Sequence, residues 1–161
     1  MKMIGRMMGS QLALAAALFW TSAAAVSAQS PARVSGDDFA TLDWLEGRWV
    51  GSGASEGAFY EEYRIVGEGV IEQTTWTDST FSTRVSTSTI ELVEGYVIVS
   101  GEDRRSVVTE FDDESLRFEW EGGGRLGYTW TRVSDDEWYA VLDRKGDAPA
   151  VYSMRRVSER P

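Results

Sequence analysis

Two clusters of carboxylates stand out among the side chains that could do chemistry, Glu61-Glu62 and Asp112-Asp113-Glu114. A pair of carboxylates can act as general acid and base, or can hydrolyse a glycosidic bond. Adjacent side chains on a strand point to opposite faces, however, and the second cluster has the composition of a turn. We therefore expect both clusters on the solvated surface and predict no catalytic residues.

The absence of histidine and cysteine excludes several chemistries. Ser-His-Asp and Cys-His nucleophile pairs cannot form, and neither can histidine-ligated zinc or haem. The run Gly122-Gly123-Gly124 precedes no predicted helix, so it is interpreted as a hairpin loop rather than a phosphate-binding loop. The acidic turns lack the spaced oxygen ligands of a calcium loop. We predict no metal site and no cofactor, and an enzyme is the least favoured function class.

Two arginines fall where strand alternation places apolar side chains. Arg132 shares a face with Tyr128 and Trp130. Arg156 shares a face with Met154. An inward arginine needs a partner, because an unpaired buried charge is destabilising. Each arginine either lies at a strand end and reaches water, or binds one anionic group of a ligand, or forms an internal ion pair. The candidate partners for such an ion pair are Glu61, Glu72 and Glu91.

Aromatic residues are abundant, with seven tryptophans in the chain. Such residues fill cores and also line apolar pockets, and core positions are expected for most of them. The stretch from Thr74 to Thr89 carries serine and threonine on both faces, which indicates either a poorly packed part of the wall or the lining of a wet cavity. The residues predicted to line a ligand cavity are Tyr63, Trp76, Phe118, Trp120, Tyr128, Trp130, Arg132, Tyr152 and Arg156.

The elements that position these side chains are one helix and about ten short strands at the spacing of an all-β meander. Apolar residues three apart in Asp37–Glu46 predict a short amphipathic helix against one end of the strands. The fold class predicted is all-β, a single antiparallel barrel of about eight to ten strands, with a β-sandwich as the alternative. The strands are predicted at Arg48–Gly53, Ala58–Val66, Val70–Thr77, Ser82–Leu92, Gly95–Ser100, Arg104–Phe111, Ser115–Glu121, Leu126–Val133, Glu137–Asp143 and Ala150–Val157.

Residues 1–28 have the features of a secretory signal peptide: Lys2 and Arg6, an apolar stretch Leu12–Trp20, and small residues ending at Ala28. The predicted domains are this signal, a flexible leader over 29–36, and a barrel over 37–158. Removing the two basic residues changes the net charge from −10 to −12. We expect a periplasmic or secreted bacterial protein that binds no nucleic acid and does not insert stably into a membrane. The sequence leaves the oligomeric state open.

The run Leu45-Glu46-Gly47-Arg48-Trp49, followed by these strands, resembles the opening of calycin barrels of the lipocalin and fatty-acid-binding type. The similarity is greatest to short bacterial lipocalin-like domains of unknown function. This resemblance implies structural roles for Gly47 and Trp49, with Trp49 across the closed end of the barrel beside Arg155 or Arg156. The related nitrobindin-like haem barrels use a histidine that this chain lacks, so the resemblance implies no haem site.

Two function classes remain after these exclusions. The first is a binding protein that holds a small apolar or amphipathic molecule inside the barrel. The second is a non-enzymatic interaction or structural module, with a solid core and a protein partner on its outer surface. The volume of the interior distinguishes them, because ligand pockets usually exceed about 300 Å³ whereas solid cores contain only small voids.

Overall fold

The computed structural model describes residues 29–53, 56–122 and 126–158. Ten strands close into one barrel, and a short helix precedes the first of them. The elements are helix α1 (Gly36–Ala40), a 3₁₀ helix (Thr41–Leu45), β1 (Gly47–Gly53), β2 (Glu56–Gly67), β3 (Val70–Trp76), β4 (Arg84–Val93), β5 (Tyr96–Gly101), β6 (Arg104–Phe111), β7 (Ser115–Trp120), β8 (Tyr128–Ser134), β9 (Glu137–Leu142) and β10 (Ala150–Arg156). The signal-peptide prediction concerns residues outside the described ranges.

Each strand pairs antiparallel with its neighbours in the chain, and β1 pairs with β10 to close the barrel. The register at closure sets Trp49 opposite Arg156 on β10 and opposite Glu61 on β2. Short turns join the strands, so each pair is a hairpin and no sheet edge is left open. The prediction of an antiparallel meander barrel is confirmed, and the β-sandwich alternative is wrong.

The predicted helix is shorter and tighter than expected. Ser35 and Asp38 form a capping box at its start, and α-helical geometry ends at Ala40. The chain then continues as a 3₁₀ helix to Leu45. A 3₁₀ helix has three residues per turn, so Leu42 and Leu45 align on one stripe, and both are fully buried at the end of the barrel. Within the described residues, no helix has the length and apolar character needed to span a membrane.

The segment predicted as a flexible leader makes backbone contacts with the barrel. The amide of Ala32 donates to the carbonyl of Val108, and the amide of Val34 donates to the carbonyl of Gly95. The Val34 side chain is buried in the core. These contacts attach the leader to β6 and to the turn between β4 and β5, beside the end of the barrel that the helix covers.

Tryptophans and one arginine fill this helix-covered end. Trp49 is fully buried, and its indole Nε1 donates to the Leu45 carbonyl at 2.7 Å. The Arg156 guanidinium lies over the Trp49 ring, 4.3 Å from its centroid, and donates to the carbonyls of Trp44 and Glu46. Arg156 rather than Arg155 therefore accompanies Trp49.

Gly47 leaves room for that guanidinium. It has a φ of 125°, and a Cβ at this position would lie 2.5 Å from Nη1 of Arg156. A side chain here would therefore meet both backbone strain and a clash. The glycine lets β1 begin directly beneath the arginine.

Candidate functional site

A cavity of about 610 Å³ occupies the barrel interior on the side away from the helix. Its rim includes Gly101 to Arg104, at the turn between β5 and β6. Volumes of about 300–1,000 Å³ are typical of small-molecule sites. The barrel is thus packed at its helix-covered end and hollow towards the other.

Aromatic side chains form one wall of the cavity. Tyr63 of β2 meets Trp130 of β8 edge to face, with ring centroids 6.1 Å apart. Tyr152 of β10 packs against Phe59 of β2 in the same way, at 5.7 Å. These T-shaped contacts fix the ring orientations, so the wall is pre-formed. It offers both apolar ring faces and phenolic hydroxyls.

Small polar side chains form another part of the wall, on β3 and β4, beside β2. Gln73 and Thr75 face the cavity from β3, and Ser86 and Ser88 face it from β4. The Ser88 hydroxyl donates to Oε1 of Gln73. The stretch rich in serine and threonine therefore lines a cavity, which was one of its two interpretations. Short hydroxyl side chains leave the space that larger residues would have filled.

Glu61 lies inside the barrel, so the prediction that the Glu61-Glu62 pair is solvated surface is wrong for Glu61. It occupies β2 between Phe59 and Tyr63, all three on the inner face, and its partly exposed surface lines the cavity. Glu62 points outward and pairs with Arg48 at 2.9 Å. The alternation along the strand carries one acid inward and its neighbour outward.

The Glu61 carboxylate has neutral hydrogen-bond donors. The Tyr63 hydroxyl donates to its Oε2 at 2.7 Å, and Gln73 also hydrogen-bonds to it. Burial raises the pKa of Glu61, and these two hydrogen bonds oppose that shift only in part. Within residues 29–53, 56–122 and 126–158, no arginine or lysine lies within ion-pair distance of Glu61.

Two of the tyrosines that line the cavity, Tyr63 and Tyr128, remain protonated at neutral pH. Burial raises the pKa of Tyr63 well above its ordinary value, and the adjacent Glu61 adds to this effect. Burial likewise raises the pKa of Tyr128, whose hydroxyl lies 2.8 Å from Oγ of Ser106. Both phenols are therefore neutral hydrogen-bonding groups.

Five of the nine residues predicted to line a cavity do so. These are Tyr63, Trp120, Tyr128, Trp130 and Tyr152. Phe118 faces inward but is fully buried, stacked on Tyr128 with ring centroids 4.5 Å apart. Trp76 is half-buried on the outer face of the barrel, where its ring meets Phe81 edge to face at 6.3 Å.

The two candidate arginines lie at the helix-covered end and do not line the cavity. Arg132 pairs with Asp135 at 2.6 Å in the turn after β8. Arg156 donates to backbone carbonyls and pairs with Asp136 at 3.3 Å. Neither forms the ion pair with Glu61, Glu72 or Glu91 that was one alternative. Strand alternation had identified the face of each arginine correctly but not its height along the barrel.

Glu61 is the charged cavity residue that the predicted lining left out, although it had been named as a possible internal ion-pair partner. It lies two positions before Tyr63, which was predicted to face inward, and residues two positions apart on a strand share a face. That spacing was enough to predict that Glu61 faces inward.

In the described parts of the chain, no three acidic side chains come together in a way that could hold a metal ion.

Comparison with known proteins adds little to this description. No protein-family model matches the chain, and no curated protein matches it. Among solved structures, the chain is similar to a redesigned β-barrel, with 9% sequence identity and a TM-score of 0.36, over 73% of this chain and 96% of the other.

Proposed function

We propose that this protein binds a small amphipathic molecule in the interior of its barrel. The observation that carries the proposal is the cavity of about 610 Å³, which has a rim of its own at one end of the barrel. A barrel that served only as a scaffold would gain stability by filling this space, because buried contacts stabilise a core and voids forfeit them.

The chemistry of the two walls favours an amphipathic ligand. Ring faces of Trp120 and Trp130 provide apolar contact, while Gln73, Thr75 and Ser88 provide hydrogen-bonding groups on β3 and β4. Pockets of this kind bind the apolar body of a ligand on aromatic surfaces and fix its orientation through a few polar groups. The competing module with a solid core is less favoured, because the barrel interior contains a cavity of about 610 Å³ beside its packed end.

We also propose that the protein acts outside the cytoplasm, in the periplasm or secreted medium. The support is the amino-terminal sequence alone: a basic start, an apolar stretch and small residues up to Ala28. The lipocalin-like resemblance fits a carrier in such a compartment.

Fluorescence of a neutral apolar probe, N-phenyl-1-naphthylamine, tests ligand binding directly. We expect saturable binding to the mature protein, residues 29–161. Ser86 lines the cavity from β4, whereas its neighbour Val85 points outward and is 59% exposed. Ser86→Trp should fill the cavity and weaken probe binding about tenfold or more, equivalent to about 1.4 kcal/mol.

Val85→Trp is the matched control, because it adds the same side chain to the same strand on the outer face. It should leave probe affinity unchanged. If the wild type binds no probe, or if Ser86→Trp and Val85→Trp bind it equally well, the interior is not the binding site and the proposal fails.

A further inference from the structure

Among the described residues, Glu61 is the carboxylate inside the barrel, and no arginine or lysine lies within ion-pair distance of it. Glu61 accepts hydrogen bonds from Tyr63 and Gln73, and both donors are neutral. An ionised carboxylate removed from water without a cationic partner is strongly destabilising. Either the group keeps its proton, or something that enters the cavity brings the positive charge.

Three described arginines that an anionic ligand could use are engaged elsewhere. Arg117 pairs with Glu119 at 2.7 Å and with Asp143 at 2.6 Å. Arg132 and Arg156 lie at the helix-covered end, as described above. At the rim, Arg104 stands beside two acids, Glu102 and Asp103. Among the described residues that line the cavity, an anion would therefore meet two acids and one base at the rim, and then the Glu61 carboxylate.

Aromatic groups flank the carboxylate along its own strand and across the cavity. Phe59 and Tyr63 lie two residues before and after Glu61, and Trp130 meets Tyr63 edge to face. Ring faces attract cations, and the interaction strengthens when the cation is removed from water. A carboxylate set among ring faces is a recurring way to hold an organic ammonium group.

We propose that the ligand is a protonated amine with an apolar body, whose ammonium group donates to the Glu61 carboxylate. The apolar body contacts the rings of Trp120 and Trp130. An ammonium that carries N–H groups is favoured over a quaternary one, because a carboxylate accepts charge-assisted hydrogen bonds. The net charge of −10 attracts cations to the protein and repels anions. This inference rests on the proposed function and names the ligand class.

The test is competition between the neutral probe and three ligands of equal chain length, all below their micelle-forming concentrations: dodecylamine, dodecanol and dodecanoate. At pH 7, dodecylamine should displace N-phenyl-1-naphthylamine at a concentration at least tenfold below that needed for dodecanol or dodecanoate. Dodecyltrimethylammonium should fall between the amine and the alcohol.

The variant Glu61→Gln keeps the shape of the side chain and removes its charge. It should bind the neutral probe as the wild type does and lose the preference for the amine. Glu62→Gln removes the neighbouring, outward acid and should keep the preference, which controls for a general effect of net charge.

The inference is overturned if dodecanoate competes as well as the amine, or if Glu61→Gln keeps the preference. In either case the neutral probe still binds, so the proposed function stands while the ligand class is wrong. Failure of the probe itself to bind the wild type would instead overturn both.

Discussion

Replacing Trp49 tests the account of how the barrel is sealed at its helix-covered end. The side chain is 0% exposed, packs edge to face on Trp138 with ring centroids 6.1 Å apart, and donates to the Leu45 carbonyl. Truncating a fully buried tryptophan to alanine costs about 3–5 kcal/mol. A new void would open beneath the 3₁₀ helix, and this five-residue helix is too short to refill it.

Two further variants divide that loss among its causes. Trp49→Phe keeps a ring but removes the indole N–H, so the Leu45 carbonyl loses its donor, and it should cost about 1–2 kcal/mol. A double-mutant cycle of Trp49→Ala with Arg156→Gln measures the contact between guanidinium and ring, for which a coupling of about 0.5–2 kcal/mol is expected.

The assay is urea denaturation followed by far-ultraviolet circular dichroism, which does not depend on the tryptophan being replaced. Val85→Ala, on the exposed outer face of β4, is the control and should change the free energy of unfolding by less than about 0.5 kcal/mol. A loss below about 1 kcal/mol for Trp49→Ala would refute the reasoning, because it would mean that Trp49 does not bury its ring in the folded protein.

Three other variants test the buried Glu61 carboxylate and the packing of the helix-covered end. Because burial raises the pKa of Glu61 above its ordinary value of 4.5, the folded state keeps that proton to higher pH than the unfolded chain. The stability of the wild type relative to Glu61→Gln should therefore fall as the pH rises above 4.5, as measured by urea denaturation at several pH values. A constant difference would place the carboxylate in water. Gly47→Ala should cost more than about 1 kcal/mol in the same assay, because a φ of 125° is strained for any residue with a Cβ, and this Cβ would also displace the Arg156 guanidinium. An unchanged midpoint would contradict this prediction. Arg132→Gln should cost less than about 1 kcal/mol, because its partner Asp135 is exposed, and a larger loss would indicate a buried role.

The fold follows from periodicity that is visible in the chain. On β7 and β8, apolar and polar residues alternate cleanly, and Tyr128 and Trp130 do face inward as predicted. Ten strands with short turns allow only antiparallel neighbours, so the topology follows once the strands are found. Closure could not be derived in this way, because it depends on the pairing of β1 with β10 across about one hundred residues of sequence.

The site was predictable only in part, since alternation gives the face of a residue but not its height along the barrel axis. Arg132 and Arg156 have inward parity yet lie at the end that the helix covers. Trp76 directly follows Thr75, which faces the cavity, so alternation along β3 turns the Trp76 side chain outward, and the prediction that it lines the cavity is wrong. Glu61 was missed for a different reason: its charge was weighed above its parity, although a cavity can keep a buried acid partly hydrated.

The most direct test of the central claim is native mass spectrometry of the protein purified from the cells that make it. We predict a retained mass in addition to that of the chain, which is released on unfolding and absent from Ser86→Trp prepared in the same way. A wild-type protein that carries only its own mass, and that also shows no saturable binding of the neutral probe, would contradict the claim that this barrel is a ligand-binding protein.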